Sequence, residues 1–371
     1  VRVAYLVPEA VAPASGVGRK VADQLRAWRR LGATGRLFVL QRPGVPSWAA
    51  VEPDACEETF ARRHGRLVSE VGRQAALARL AAAVVEWQPD IVYARFGPWS
   101  RGARRLFARL PVVVEVNADD VAEYRLGPPL LSAYNRLTRR RVLGRAAGLV
   151  FPTVELADRP AMATTRGHRT VIPNGIDLER WAVTAPPTNE RPRLVLVAGS
   201  AGTWQGVDKA VRLAAALPDV DVQIVGRDGP EGVPRSGGEG RGRPANVAYL
   251  GTLEGDAYRA ALAGADAGLG PLALHRKGMD AACPLKVREY LAAGLPVVAA
   301  YSDDDLPDDA DFVLRIPNTE DNVERHAGEV REFVAAWRGR RVSRDAVAHL
   351  DQACKEQERL AFFGGVLGAG G

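Results

Sequence analysis

The sequence predicts an α/β protein built from two doubly wound, Rossmann-like domains. Three observations predict it. Short apolar runs alternate with amphipathic helical segments from one end of the chain to the other, the pattern of parallel sheets covered by helices on both faces. At 371 residues, the chain is long enough for two domains of roughly 170 residues, each with its own core. Midway, Thr184 to Pro192 (TAPPTNERP) is polar and Pro-rich and reads as a hinge or linker.

Taken in order, the first half offers strands at Val3 to Val7, Gly35 to Leu40, Asp90 to Ala94, Val112 to Val116 and Gly148 to Phe151. Each is a short apolar run of the kind buried on both faces. Between them the 3.6-residue apolar period predicts helices over Gly18 to Leu31, Ser69 to Trp87, Arg101 to Leu110 and Leu130 to Ala146. The second half repeats the scheme, with strands at Leu194 to Ala198, Val222 to Val225, Val247 to Leu250, Ala267 to Gly270 and Val297 to Ala300. Gly229 to Pro244, rich in Gly, Arg and Pro, reads as a mobile surface loop. After Val323 the chain turns helical, and Ser343 to Leu367 reads as an amphipathic tail with Phe362 and Phe363 at its apolar end.

The chemistry concentrates in Arg276 to Tyr301 (RKGMDAACPLKVREYLAAGLPVVAAY). Pro284 starts a helix, Gly294 closes it, and Leu295 to Ala300 is a buried strand. The run Ala281, Ala282, Cys283 before the helix leaves backbone N–H groups open to an anion, and Lys286 in the first turn adds a charge, which together suit a pyrophosphate. One turn on, Glu289 is an acceptor-only group able to take both hydroxyls of a ribose. A lone helical Glu is ordinarily solvated, but lysine usage favours function. The chain has five Lys against 45 Arg, and Lys277 and Lys286 both lie close to Glu289. A compact ammonium and a planar guanidinium are not interchangeable at a phosphate.

These residues resemble the retaining, nucleotide-sugar-dependent glycosyltransferases of the GT-B fold, family 4 type, in which a Glu at the position of Glu289 binds the nucleotide ribose. The family carries an earlier glutamate as well. Its position here is Ala281, with Asp280 one residue off register. The resemblance extends to Val171 to Trp181 (VIPNGIDLERW), the family's interdomain segment. It covers Leu194 to Gly206 (LVLVAGSAGTWQG), the strand and loop opening its second domain, and Gln223 to Gly226 (QIVG) with Asn246 to Gly251 (NVAYLG), the strand ends facing the nucleotide.

The resemblance implies an acceptor-side domain over 1–167, a nucleotide-sugar domain over 168–344, a cleft at the carboxyl ends of their strands, and a last helix within 345–371 crossing back to the first domain. It implies transfer of a sugar from a nucleotide diphosphate sugar to a hydroxyl acceptor, a small metabolite or glycan precursor, with retained anomeric configuration. No cofactor or metal is called for, the nucleotide sugar being a substrate. Glu289 would hold the ribose, and the amides around Pro284, Leu285 and Lys286 the pyrophosphate. Arg227 and Thr252 would frame the base, and Gly16 and Gly18 in Ser15 to Lys20 (SGVGRK) would let backbone approach the phosphates or sugar. The family's Arg and Lys in the loop opening the second domain fall on Ser200 and Gln205. Either Lys286, Lys277 or Arg276 supplies the charge that stabilises the departing diphosphate, or the enzyme is weakened. Glu115, Asn117 and Asp119, with Asp120 in VEVNADD, are candidates for sugar or acceptor hydroxyls, unless they cap the next helix.

Two alternatives stay open: an epimerase acting on the nucleotide sugar, and a non-catalytic binding protein. A dehydrogenase does not fit, because Gly16-Val17-Gly18 opens a dinucleotide fingerprint whose third glycine is Val21. Asp303 to Asp305 mimics the DxD metal motif of another transferase fold and reads here as a solvated loop. Cys56, Cys283 and Cys354 have no metal-like spacing.

The net charge of +6 is uneven: residues 1–167 carry 26 Lys+Arg against 15 Asp+Glu, and residues 168–371 carry 24 against 29. A basic first half suits an anionic acceptor or a membrane surface. Arg101, Arg104, Arg105 and Arg109 share one helical face opposite Leu106 and Leu110, and a solvated outer face is the favoured reading. Membrane docking requires exposed apolar bulk beside the charges. No nucleic-acid motif accompanies them. The first residues, VRVAYLV, enter a strand at once and no run has transmembrane length, so a cytoplasmic protein is expected.

Overall fold

The computed structural model describes residues 1–60, 66–125, 129–162, 167–199, 202–226 and 244–369. The chain forms two compact units, Val1–Pro173 with Gln352–Gly371, and Asn174–Asp351.

The first unit holds β1 (Arg2–Val7), α1 (Gly16–Arg30), β2 (Thr34–Gln41), β3 (Cys56–Thr59), α2 (Arg66–Glu86), β4 (Ile91–Arg95), α3 (Arg101–Phe107), β5 (Val112–Glu115), α4 (Asp120–Arg125), α5 (Pro129–Leu143), β6 (Gly148–Phe151), α6 (Val154–Asp158) and β7 (His168–Val171). Its strands pair in parallel in the order β3-β2-β1-β4-β5-β6-β7. The apolar runs are continuous because each strand feeds two cores: Ala4 and Leu6 of β1 point into one, and Val3, Tyr5 and Val7 into the other.

The second unit holds β8 (Arg193–Ala198), α7 (Val207–Ala216), β9 (Asp221–Gly226), β10 (Val247–Gly251), α8 (Gly255–Ala263), β11 (Ala267–Leu269), α9 (Leu285–Ala292), β12 (Val297–Ala299), β13 (Val313–Arg315), α10 (Asn322–Arg325) and α11 (Ala327–Trp337). Its parallel order is β10-β9-β8-β11-β12-β13.

The last helix, α12 (Gln352–Gly368), belongs to the first unit. Phe363 packs on Trp28 and Tyr93, with ring centroids 5.9 and 5.4 Å apart. Buried Glu356 accepts from Gln24 Nε2 at 3.1 Å and Trp28 Nε1 at 2.5 Å, and Arg359 donates to the Tyr93 hydroxyl at 2.8 Å.

Three expectations change. Thr184 to Pro192 is not a linker between the halves but is strapped onto the second unit. Thr184 N donates to Ala293 O, Arg341 binds the carbonyls of Thr184 and Ala185, and Arg338 binds that of Glu190. The tail from Ser343 is not one helix, since Asp345–Leu350 is a 3-10 turn and α12 begins only at Gln352. The edge strands β3 and β7 form where no apolar run stands out, because each is paired on one side only and half-exposed. Of the predicted loop Gly229 to Pro244, all but Pro244 lies outside the described residues.

Candidate functional site

In a doubly wound sheet the crevice opens where the strand order reverses, which in the second unit is between β8 and β11. The loop leaving β8 makes a 3-10 turn at Thr203–Gln205 and enters α7 through Gly206. The loop leaving β11 is tied to it, with Leu272 N donating to Gln205 O and Ala273 N to Trp204 O, both at 3.3 Å. Gly206 has φ +75°, and a Cβ there would lie 2.7 Å from that of Leu272, so the position needs glycine twice over. This strapping turns the Gln205 side chain inward, where it is buried.

α9 delivers a cation to the same point. Pro284 occupies the residue before the helix, and Lys286 in its first turn is buried. Its Nζ donates to Val197 O at 2.7 Å and to Gln205 Oε1 at 2.5 Å. With no anion beside it, burial pushes its pKa down to about 7. Next on the helix, Tyr290 accepts from Val197 N at 2.7 Å, pinning α9 to β8. Glu289 is buried, and its carboxylate accepts from the Tyr258 hydroxyl of α8.

Arg288 anchors the other side of α9. It forms a bidentate pair with Asp303, both contacts at 2.8 Å, and donates to Asn174 O at 2.9 Å. Asn174 Nδ2 in turn donates to Cys283 O at 2.6 Å, so the Asn-Gly turn fixes the loop before α9. Asp303 is therefore not part of a solvated loop: it is buried because Arg288 requires a partner. Cys283 is a packing residue whose thiol is pushed up to about 11 by burial. The small-residue run is less open than expected, since Ala282 N donates to Ser302 O at 3.0 Å. In the first turn of α9, Val287 N donates to Pro284 O at 3.1 Å, which leaves the amides of Leu285 and Lys286 for an anion.

The other predicted cations have partners of their own. Arg276 binds Asp208 at 2.7 Å and Glu320 at 2.5 Å, and these hydrogen bonds raise its pKa further. Lys277 Nζ lies 4.2 Å from the centre of the Trp204 ring. Thr252 is exposed behind the left-handed Gly251. Ser200 and Arg227 lie outside the described residues.

In the first unit the strand order reverses between β1 and β4. Gly16 opens α1 behind the Ser15 cap, and Gly18 packs against the preceding loop, where a Cβ would meet Ala12 O at 2.2 Å. Glu115 is turned inward. Burial alone would raise its pKa, but Lys20 at 2.7 Å and Arg95 at 3.4 Å hold it well below the usual carboxylate range. Asn117 joins it, accepting from Lys20 at 3.0 Å and donating to Glu115 at 2.9 Å. Asp119 caps α4 by accepting from Val121 N and Ala122 N, and binds Arg159 at 2.6 Å. Beside these ends lies an apolar cavity of about 50 Å³ lined by Leu6, Ala94, Leu77, Leu106, Val114 and Val142, among others.

Solved structures share this architecture from end to end. The trehalose-6-phosphate structure from E. coli bound with UDP-2-fluoro glucose matches with TM-score 0.63 and 14% identity, over 98% of this chain and 99% of that one. The lipopolysaccharide outer core galactosyltransferase WaaB matches with TM-score 0.60 and 11% identity, over 98% and 99%. A glycosyltransferase from Rickettsia africae matches with TM-score 0.64 and 11% identity, over 99% and 98%. At these identities the likeness establishes the GT-B fold. The chain has the GT-B fold, and its residues 15–175 match the model of a glycosyl transferase 4-like domain. No curated protein sequence matches the chain.

The structure brings together Lys286, Gln205 and Glu289 around α9, and Glu115, Asn117 and Lys20 around β5, while Arg276 and Lys277 contact Thr203 and Trp204 of the turn that carries Gln205. Sequence reasoning missed Tyr258, Asn174 and the Val197 carbonyl. Only the Asn-Gly turn left a local trace of any of them.

Proposed function

We propose that this protein is a glycosyltransferase that moves a sugar from a nucleotide diphosphate sugar to a hydroxyl acceptor with retention of anomeric configuration, and that Lys286 carries the charge the reaction needs. The observation behind this is the Lys286 ammonium at the carboxyl end of β8, bound to Gln205, the residue at the family's lysine position. A cation missing from one element is supplied there by another. As the bond from sugar to phosphate breaks, negative charge grows on the diphosphate. A cation already desolvated and fixed stabilises that charge without reorganising. The acceptor proton passes to the departing phosphate, so no side-chain base is required. Glu289 and Tyr258 form the ribose end of the site, and the first amides of α9 the phosphate end. The UDP sugar bound to a protein of the same fold supports this donor class.

A panel of nucleoside diphosphates screened by thermal shift, with and without divalent metal, tests the reading. One nucleotide should stabilise the protein without metal, because selective binding to the native state raises apparent stability. The matched nucleotide sugar should then give a product whose anomeric proton coupling, read by NMR, equals that of the donor. An inverted product overturns the retaining mechanism. Binding without turnover of any sugar overturns the catalytic role of Lys286.

A further inference from the structure

α5 is packed inside out for a helix of a soluble domain. Towards the protein it buries Asn135, Thr138 and Arg139 together with Val142 and Leu143. These polar groups are held: Arg139 makes a bidentate pair with Asp120 at 2.7 Å, Asn135 donates to the same carboxylate at 2.6 Å, and Thr138 donates to Tyr134 O at 2.7 Å. Outward, Leu130 is 81% and Leu137 80% exposed, with exposed Tyr134 between them. Their spacing places all three on one stripe of the helix. An ordinary surface helix carries the opposite pattern.

The apolar stripe is bordered by cations. Arg136, Arg140 and Arg141 are exposed on the same helix. α3 adjoins it through Trp99: Tyr134 donates to Trp99 O at 2.7 Å, Arg145 lies 5.4 Å over the Trp99 ring, and that ring stacks on Phe107 of α3. From α3 and its end, Arg101, Arg104, Arg105 and Arg109 are exposed. Neither helix contains an acidic residue. The occupant of this face must accept leucine side chains and also present negative charge over a wide area. A second copy of the same face would set arginine against arginine.

We propose that the first unit docks on an anionic phospholipid surface through the outward faces of α5 and α3. Leucines enter the acyl boundary while the arginines hold headgroup phosphates, the division of labour of an interfacial amphipathic helix. The attachment is peripheral for the described residues, none of whose helices is long and apolar enough to cross a membrane. The requirement for exposed apolar bulk beside the basic helix is met by the neighbouring helix.

The test is co-sedimentation of the full chain with vesicles of phosphatidylglycerol and phosphatidylcholine in equal parts, against phosphatidylcholine alone. Binding should be confined to the anionic vesicles and weaken with salt. Arg136→Glu with Arg140→Glu should weaken it by about fivefold or more per arginine. Leu130→Ser with Leu137→Ser should weaken it by about tenfold or more. Both double variants change exposed side chains, so their melting temperatures should match the parent. The proposal is overturned if the parent ignores anionic vesicles, if neutral vesicles bind equally well, or if both variants bind like the parent. It is also overturned if the parent is a dimer that Leu130→Ser with Leu137→Ser returns to monomer without vesicle binding. Retention on heparin without vesicle binding assigns the arginines to an acidic polymer instead.

Discussion

Burial pushes the Lys286 pKa down to about 7, and a bound diphosphate should raise it again. The gap between the ordinary 10.5 and about 7 corresponds to about 5 kcal/mol against charging this group in the free protein. An anion at Nζ cancels part of that cost, so the bound group has the higher pKa and binding takes up a proton. Diphosphate affinity should therefore rise as pH falls from 9 to 7, by up to about tenfold per pH unit, and level off below the pKa of the free protein. Calorimetry at pH 8 in two buffers of different ionisation enthalpy measures the uptake directly. The folded protein obeys the complementary rule. Between about 7 and 10.5 the unfolded chain binds more protons than the native one, so this group makes stability rise with pH across that window and costs most below it. Lys286→Met should thus raise the melting temperature at pH 7, with a gain that shrinks towards pH 10, while abolishing proton uptake and lowering kcat more than it raises the donor KM. Wild-type binding without proton uptake, or a Lys286→Met enzyme with unchanged kcat, would refute the reasoning.

Glu289→Ala should weaken nucleotide binding by about 1.5–3 kcal/mol while the fold survives, and calorimetry on the folded variant decides it. Asp303→Ala strips the partner from buried Arg288 and should cost about 3–5 kcal/mol in denaturant unfolding, where a solvated aspartate would cost almost nothing. Exhaustive chelation should leave turnover intact, and activity restored only by manganese or magnesium would contradict protein cations as the source of charge stabilisation.

The central strands were legible because a parallel strand buried on both faces must be apolar throughout, as β1 and β8 are. The edges were not: β3 is Cys-Glu-Glu-Thr and β7 is His-Arg-Thr-Val, half-exposed segments whose pairing depends on neighbours rather than on their own composition. At the site, α9 and its two polar residues could be read because capping and spacing are local. The Lys286 to Gln205 contact spans 81 positions, and nothing local in either residue announces it. Asp303 was misread for the same reason, three consecutive aspartates looking solvated until Arg288 is seen to point inward. On α5 the helix was readable but its orientation was not, because Asn135, Thr138 and Arg139 are drawn inward by Asp120 and leave the leucines outside.

The return of α12 also bears on how the chain is made. Synthesis proceeds from the amino terminus, and domains generally fold as they emerge. Here residues 1–173 leave the ribosome without the helix that covers Trp28 and Tyr93 and supplies the partners of Gln24 and Tyr93. The second unit, continuous from Asn174 to Asp351, is complete before its predecessor. The older half of the polypeptide must wait, with its aromatic core open, for the youngest helix to close it.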